Sequence, residues 1–163
     1  MIIAGFDPGS SIFGVGIIKK EEGKISLLFS EEIKFPKVEF NLKMKILIDN
    51  IKSVLNKFPV TEAAIEDGFL GKNVKSMNIL SKVRGVVLAT LLLKGIDLAF
   101  YSPGEIKSSL TGNGNAGKEQ VNKMVKILLN SGEKNFGFDE SDALATAICH
   151  SMRLNSIKKG LYK

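Results

Sequence analysis

The chain has 163 residues, 44% of them hydrophobic and 25% charged, the proportions of an ordinary globular protein and not of a disordered or fibrous one. That length supports one compact domain with a single covered core and is too short for two full lobes, and no apolar run nears the roughly 20 residues of a helical membrane span. The formal net charge is +6, all of it in residues 67–163, because residues 1–66 carry nine lysines against nine acids; a basic half of this kind attracts phosphate backbones through counterion release.

From the N-terminus, residues 2–7, 13–19 and 25–34 are β-rich runs separated by glycine-containing breaks, the pattern of a three-stranded meander. Met44, Leu47, Ile48, Ile51, Val54, Leu55 and Phe58 then recur at three- and four-residue steps, which puts one apolar stripe on a helix ending near Pro59. TEAAIE (61–66) reads as a strand, residues 75–94 as a long helix, 96–101 as a further strand, and 117–130 and 139–155 as two more helices. Hairpins first and strand–helix alternation afterwards predict an α/β fold, a five-stranded mixed sheet flanked by α-helices. The helix at 75–94 is apolar on several sides: Met77, Leu80, Val83, Val87 and Leu91 form one stripe, and Ile79, Val86, Leu88 and Leu92 lie off it. It is expected to be covered nearly all round, by the domain itself or by a second subunit. Residues 1–155 read as one domain and 156–163 as a basic tail. The single cysteine, Cys149, leaves no internal disulfide, and no basic segment precedes the N-terminal apolar run; both features predict a cytoplasmic protein.

The carboxylates of interest fall at element ends. Asp7 closes the first strand within IIAGFDPGSSIFGVGII (2–18), Glu66 closes the fourth, and Asp139 and Asp142 stand three apart at the start of the last helix in FDESDALATAI. An i, i+3 spacing puts the last two on one face, and pairing of the two strands would gather all four acids. Four carboxylates in one place repel one another unless cations intervene, and hard, oxygen-seeking ions such as Mg²⁺ or Mn²⁺ are the natural compensators. Ordinary explanations exist for three of them. Asp139 suits a helix N-cap with Asp142 at N3, and Asp7 before Pro8-Gly9 suits a turn. Glu66, at the end of an apolar strand with no basic neighbour in sequence, resists such an explanation, and the coincidence of all four favours a cluster. Two ions held there, about 3.5 to 4 Å apart, would bridge a phosphodiester, one activating a water and the other stabilising the leaving oxygen. The products would carry 5′-phosphate and 3′-hydroxyl ends.

GFDPGSSIFGVGII, AIEDGF, VRGVV, IKSSLTGNGNAGKEQV and DESDALATAICH, in this order across residues 1–152, resemble the RuvC family of crossover (Holliday) junction endodeoxyribonucleases, which have an RNase H-like fold. The resemblance implies a homodimeric, Mg²⁺-dependent endonuclease, with Mn²⁺ able to substitute. Its activity would be paired symmetric nicking of four-way junction DNA in recombination and repair, in company with a branch-migration helicase complex. It further implies Asp7, Glu66, Asp139 and Asp142 as ligands of two ions, Lys107 and Lys118 as basic groups near the scissile phosphate, and Phe69 as an aromatic stacking on a junction base. Arg84 falls in the matching RG of the interface helix and is counted, with Lys72 and Lys75 beside Phe69, among the DNA contacts. Two positions depart from the pattern: Gly68, where the family usually has a longer side chain, and Ser141, where it often has alanine; neither is expected to touch the ligands. A nuclease acting on RNA would share the fold and most of the acids, and the D-x-x-D pair with the Lys107 to Lys118 segment favours the junction enzyme.

Two decoys are set aside. GNGNAGK (112–118) satisfies the first seven positions of the P-loop pattern. Glu119 nevertheless replaces the hydroxyl that would hold Mg²⁺, and no strand-like run leads in, so nucleotide hydrolysis is not expected. A flexible loop presenting Lys118 to a backbone phosphate suits the same glycines. Cys149 and His150, adjacent on a helix, point in different directions and read as packing residues with no dyad, and one His with one Cys leaves no structural zinc site.

Overall fold

A computed structural model describes residues 1–68 and 74–158, with side chains to residue 154. Phe69, Lys72 and the tail from residue 159 lie outside the described residues. The elements are β1 (Ile2–Pro8), β2 (Ile12–Glu21), β3 (Lys24–Lys34), α1 (Phe40–Lys57), β4 (Glu62–Glu66), α2 (Val74–Leu92), β5 (Leu98–Tyr101), α3 (Pro103–Thr111), α4 (Lys118–Leu128) and α5 (Phe138–Lys158). They build one five-stranded sheet in the order β3-β2-β1-β4-β5. β1, β2 and β3 are antiparallel neighbours, whereas β4 and β5 run parallel to β1. The β2–β3 turn is tight because Glu22 and Gly23 both take positive φ, 50° and 81°, the backbone that two-residue hairpin loops require. β4 and β5 are reached through α1 and α2, the crossovers that a parallel neighbour needs.

Strand alternation assigns each residue to a face of the sheet. Ala4, Phe6, Val15, Ile17, Ala63 and Ile65 pack against α1 and α2, while Ile3, Ile18, Ala64 and Tyr101 pack against α3, α4 and α5. On this second face the opening glycines matter. A Cβ on Gly5 would stand 2.1 Å from the carbonyl oxygen of Ala143, and one on Gly14 would stand 2.0 Å from that of Asp139. With no side chain at either position, the main chain of α5 rests on the main chains of β1 and β2.

Two expectations are corrected. α2 is not covered nearly all round by its own chain: Val83, Val87, Thr90 and Leu91 are its buried residues, and Val74, Ile79 and Leu92 remain 74%, 37% and 53% exposed. The sheet offers α2 one side only, so its other apolar side faces outward. The segment after β5 is also helical. Ser102 caps α3 by accepting from the Glu105 N–H, the Glu105 carboxylate accepts from the Ser102 N–H, Pro103 opens the first turn, and Gly112 closes the helix at φ 74°. Ile106 and Leu110 alone bury its inner side, too short a stripe to be read as periodicity. Among the described residues no helix is long and apolar enough to cross a membrane.

Candidate active site

Asp7 shares its face of β1 with Ile3 and Gly5, and Glu66 shares its face of β4 with Ala64, so both carboxyls emerge on the side where α5 lies. β1 and β4 are parallel neighbours, which brings their C-terminal ends side by side. Asp7 is still within the strand, paired with Gly14; the reading of it as a turn residue does not hold. Asp139 is the second residue of α5, which begins at Phe138, and is therefore not its N-cap. Glu140, in the first turn, accepts from the N–H of Gly137, the residue before the helix, at 3.1 Å, and Glu32 Oε1 from β3 accepts from the Glu140 N–H at 3.5 Å. Asp7, Glu66, Asp139 and Asp142 line one cleft of about 420 Å³ together with Ser10, Pro103, Lys107 and Lys118.

The electrostatics record that crowding. Burial first, and then the charges of Glu66, Asp142 and Asp139, push the Asp7 carboxyl up to about 8, with Lys118 opposing them. Glu66 is raised by burial and by Asp142, against Lys118, Arg84 and Lys107. Asp142 is raised by burial although Lys118 pulls the other way. Lys118 places its Nζ 3.3 Å from Asp142 Oδ2 and 5.7 Å above the Phe138 ring. Burial would lower its pKa, yet Asp142 and the other acids outweigh burial and raise it. A cleft whose acids hold the Asp7 proton to about pH 8 is short of positive charge. Its donors are all carboxylate oxygens, the set that suits a hard divalent cation. No three acid, His or Cys side chains among the described residues close into a ready-made cage. Mg²⁺ rarely uses one: it binds through one or two carboxylates and completes its shell with water and substrate oxygens, which fits carboxylates spread along a cleft.

The remaining predicted residues fall as follows. Lys118 is delivered by the first position of α4 and not by a flexible loop: the Asn115 N–H donates to Asn113 Oδ1, the Thr111 hydroxyl donates to the Asn113 carbonyl, and the Ala116 N–H donates to that same carbonyl. The element leading into this loop is α3, where a P-loop would need a strand. Lys107 reaches the cleft from α3, and Lys75 is exposed on the first turn of α2. Arg84, expected at the DNA, is turned onto the protein: its Nε donates to the Glu66 carbonyl at 3.2 Å, its Nη2 to the Gly68 carbonyl at 2.9 Å, and its Nη1 lies 3.2 Å from Asp67 Oδ1. Gly68 does bear on one of the four acids, since a Cβ there would stand 3.5 Å from Glu66 Oε1 and 3.3 Å from Pro103 Cγ. Cys149 and His150 are buried with polar partners, Sγ 3.2 Å from Ser109 Oγ and Nδ1 2.8 Å from Tyr101 Oη. Sequence reasoning missed Phe138, which is 51% exposed beside Lys118, and the role of Pro103 as a wall of the cleft.

A mixed sheet of this order, with acids at the ends of its two central parallel strands and on the helix lying over them, defines a protein of RNase H-like fold bearing a nuclease-type acidic site. The family described as Crossover junction endodeoxyribonuclease RuvC matches residues 3–150, and the chain belongs to that family. It is 39% identical to the crossover junction endodeoxyribonuclease RuvC of Christiangramia forsetii over 150 residues, 91% of this chain and 78% of that one. It is 38% identical over 159 residues to the RuvC of Francisella tularensis subsp. novicida, 98% of this chain and 92% of the relative. Among solved structures it resembles Thermus thermophilus RuvC in complex with Holliday junction substrate, with a TM-score of 0.86 at 26% identity, covering 95% of this chain and 96% of that one.

Proposed function

We propose that this protein is a Holliday-junction resolvase, an endonuclease making paired symmetric nicks in four-way DNA junctions in recombination and repair. The observation that carries the reading is the cleft of four carboxylates with Lys118 at its rim, in a chain that matches the RuvC family along nearly its whole length. Asp7, Glu66, Asp139 and Asp142 would hold two Mg²⁺ ions, with Mn²⁺ able to replace them. Bound there, the ions supply the charge neutralisation and water activation that phosphodiester hydrolysis needs. The proton that Asp7 holds when metal-free would leave as its carboxylate became a ligand. Lys118, anchored on Asp142, offers its ammonium to charge developing on the phosphate, and Lys107 adds a second positive group from α3. The basic second half of the chain and Lys75 draw in the DNA backbone. The products carry 5′-phosphate and 3′-hydroxyl ends.

Paired cuts need paired sites. A four-way junction has near-twofold symmetry, which a C2 homodimer matches, and the outward apolar side of α2, with Val74 and Leu92 about five helical turns apart on one line, supplies a surface for such pairing. Residues 1–155 act as the nuclease domain and 156–163 as a basic tail, and a branch-migration helicase complex is the further partner of this reading. The test is cleavage of a labelled synthetic four-way junction with Mg²⁺ or EDTA, beside linear duplex and RNA–DNA hybrid of the same sequence. Metal-dependent, symmetric nicks in the junction alone are expected. Cutting of the hybrid instead would move the substrate to RNA, and binding without cutting in any metal would end the nuclease reading.

A further inference from the structure

We propose that Arg84 is the positioning residue for Glu66, a clamp from α2 that fixes the chain where it leaves β4. The proposal rests on the metal-dependent nuclease reading and adds to it a residue that touches neither metal nor DNA.

Glu66 is the last residue of a five-residue strand. On one side of β4 the pairing with β1 stops at Phe6 and Ile65; on the other, Glu66 pairs with Tyr101 and the Asp67 N–H donates to the Tyr101 carbonyl at 2.8 Å. The Glu66 carboxyl therefore projects from a place where one of the two ladders has run out, and three other carboxyls share its cleft. Asp7 has lost the same ladder, but its pairing with β2 continues past it, from Gly14 to the Pro8–Phe13 pair, whereas β4 ends at Glu66. Repulsion within the cleft therefore acts on Glu66 at a strand end, where the next stretch of chain needs support from outside the sheet.

Arg84 supplies that support. Its three nitrogens engage three successive residues: the carbonyls of Glu66 and Gly68, and the carboxylate of Asp67 between them. The guanidinium is planar and presents its donors in a fixed fork, so these contacts set the direction of the segment as well as its distance; hydrogen bonds from an ionised donor are also about twice as strong as neutral ones. The Arg84 side chain is only 12% exposed. Its base is firm, because the neighbouring Val83 and the next inward position, Val87, are buried against the sheet. A side chain that bound DNA would keep its donors outward, and all three nitrogens here are committed to the β4 exit. A lysine would keep the charge and lose the fork.

The experiment compares wild type with Arg84→Lys and Asp67→Asn in the full-length chain. Mn²⁺ affinity is measured on the DNA-free protein by the electron paramagnetic resonance signal of unbound Mn²⁺, junction affinity in EDTA, and single-turnover cleavage against Mg²⁺ concentration. Supporting groups around a metal site typically change affinity by 10- to 100-fold, so Arg84→Lys is expected to weaken Mn²⁺ binding by roughly tenfold. Junction affinity in EDTA should stay at the wild-type level, and the cleavage rate should return toward wild type at high Mg²⁺. Asp67→Asn, which keeps both carbonyl contacts, should fall between the two. Equal Mn²⁺ affinity in all three proteins overturns the proposal, as does a loss of junction affinity with metal binding unchanged, which would make Arg84 a DNA contact. Because Mn²⁺ binding is read without DNA, a wild type that binds Mn²⁺ and cuts no junction sinks the resolvase reading while the clamp still stands or falls on its own comparison. A wild type that binds no Mn²⁺ sinks both.

Discussion

The two halves of the acidic cleft are held in different ways. Asp7, Asp139 and Asp142 belong to a half in which main chain rests on main chain, with α5 seated on β1 and β2 where Gly5 and Gly14 leave no room for a side chain. Glu66 belongs to a half in which one side chain, Arg84, reaches across from α2 to hold a strand end. The first half has no adjustable part. The second is tied to α2, whose outer apolar side is the surface proposed above for a second copy of the chain. If two copies pair there, assembly and placement of Glu66 share one helix, a link of use to a resolvase, since a lone subunit that cut at full rate would nick one strand and leave the junction unresolved.

Damage to the rigid half should have the largest effect. In Gly14→Ala the new Cβ would stand 2.0 Å from the Asp139 carbonyl oxygen and 3.2 Å from Ala143 Cβ. The nearest obstacle is backbone, so the first turn of α5 must move. Overpacking costs about 1–3 kcal/mol, a drop in Tm of roughly 3–10 °C for a chain of this size. Displacing Asp139 and Asp142, two of the proposed ligands, together should slow single-turnover cleavage by at least about 100-fold, the penalty for misplacement near 1 Å. The tenfold effect expected of Arg84→Lys is smaller because a side-chain clamp can be partly replaced by metal at high concentration. A Gly14→Ala protein that cuts at the wild-type rate would show that α5 does not take its position from that contact.

The same contrast explains what was legible in the sequence. The meander, the alternation that followed and the four acids were readable because period, breaks and charge are local signals. The rigid half was half visible: the opening stretch displays its glycines, but which helix lies on them is a long-range fact, and only the contact of Gly14 with Asp139 gives them their purpose. In the adjustable half Glu66 was visible and its support was not. Arg84 and Glu66 are 18 residues apart, and nothing local marks the three-way fork. α3 was lost although Ser102, Pro103, Glu105 and Gly112 announce both of its ends, because only Ile106 and Leu110 carry the apolar period. α2 was read as a helix needing cover on all sides, which is true of its composition, whereas the fold of one chain covers only one side.

Lys118 stands between the halves and tests how far charge alone sustains them. It pairs with Asp142 at 3.3 Å and lowers the proton affinity of Asp7, Glu66 and Asp142 alike. Lys118→Met keeps the length of the side chain and removes the ammonium. Loss of one preorganised electrostatic contact typically slows catalysis by about 10²- to 10³-fold, so single-turnover cleavage should fall by roughly 100-fold while junction binding holds. An unchanged rate would remove Lys118 from the chemistry and leave it a partner of Asp142 only.

The smallest expected effect separates the halves by pH. Asp7 cannot move away from its neighbours, so it answers repulsion by keeping a proton, with its carboxyl raised from 3.8 to about 8. Between those values the folded chain binds a proton that the unfolded chain has released. Metal-free stability from this group is therefore present at low pH and is lost as pH rises toward about 8. Glu66 and Asp142 are raised as well, whereas Glu105 is held below its ordinary value by the Ser102 N–H and Arg153, so the informative quantity is the difference from Asp7→Asn. That variant has no carboxyl to charge. It should melt at a higher temperature than wild type at pH 8 without metal, by a few degrees, and the gap should shrink toward pH 5. Mg²⁺ should stabilise the wild type more at pH 8 than at pH 5, because the cation competes with the proton for the same oxygens. A gap that stayed constant with pH would mean that Asp7 relaxes away from the other acids in solution, and the half described as rigid would then be the adjustable one.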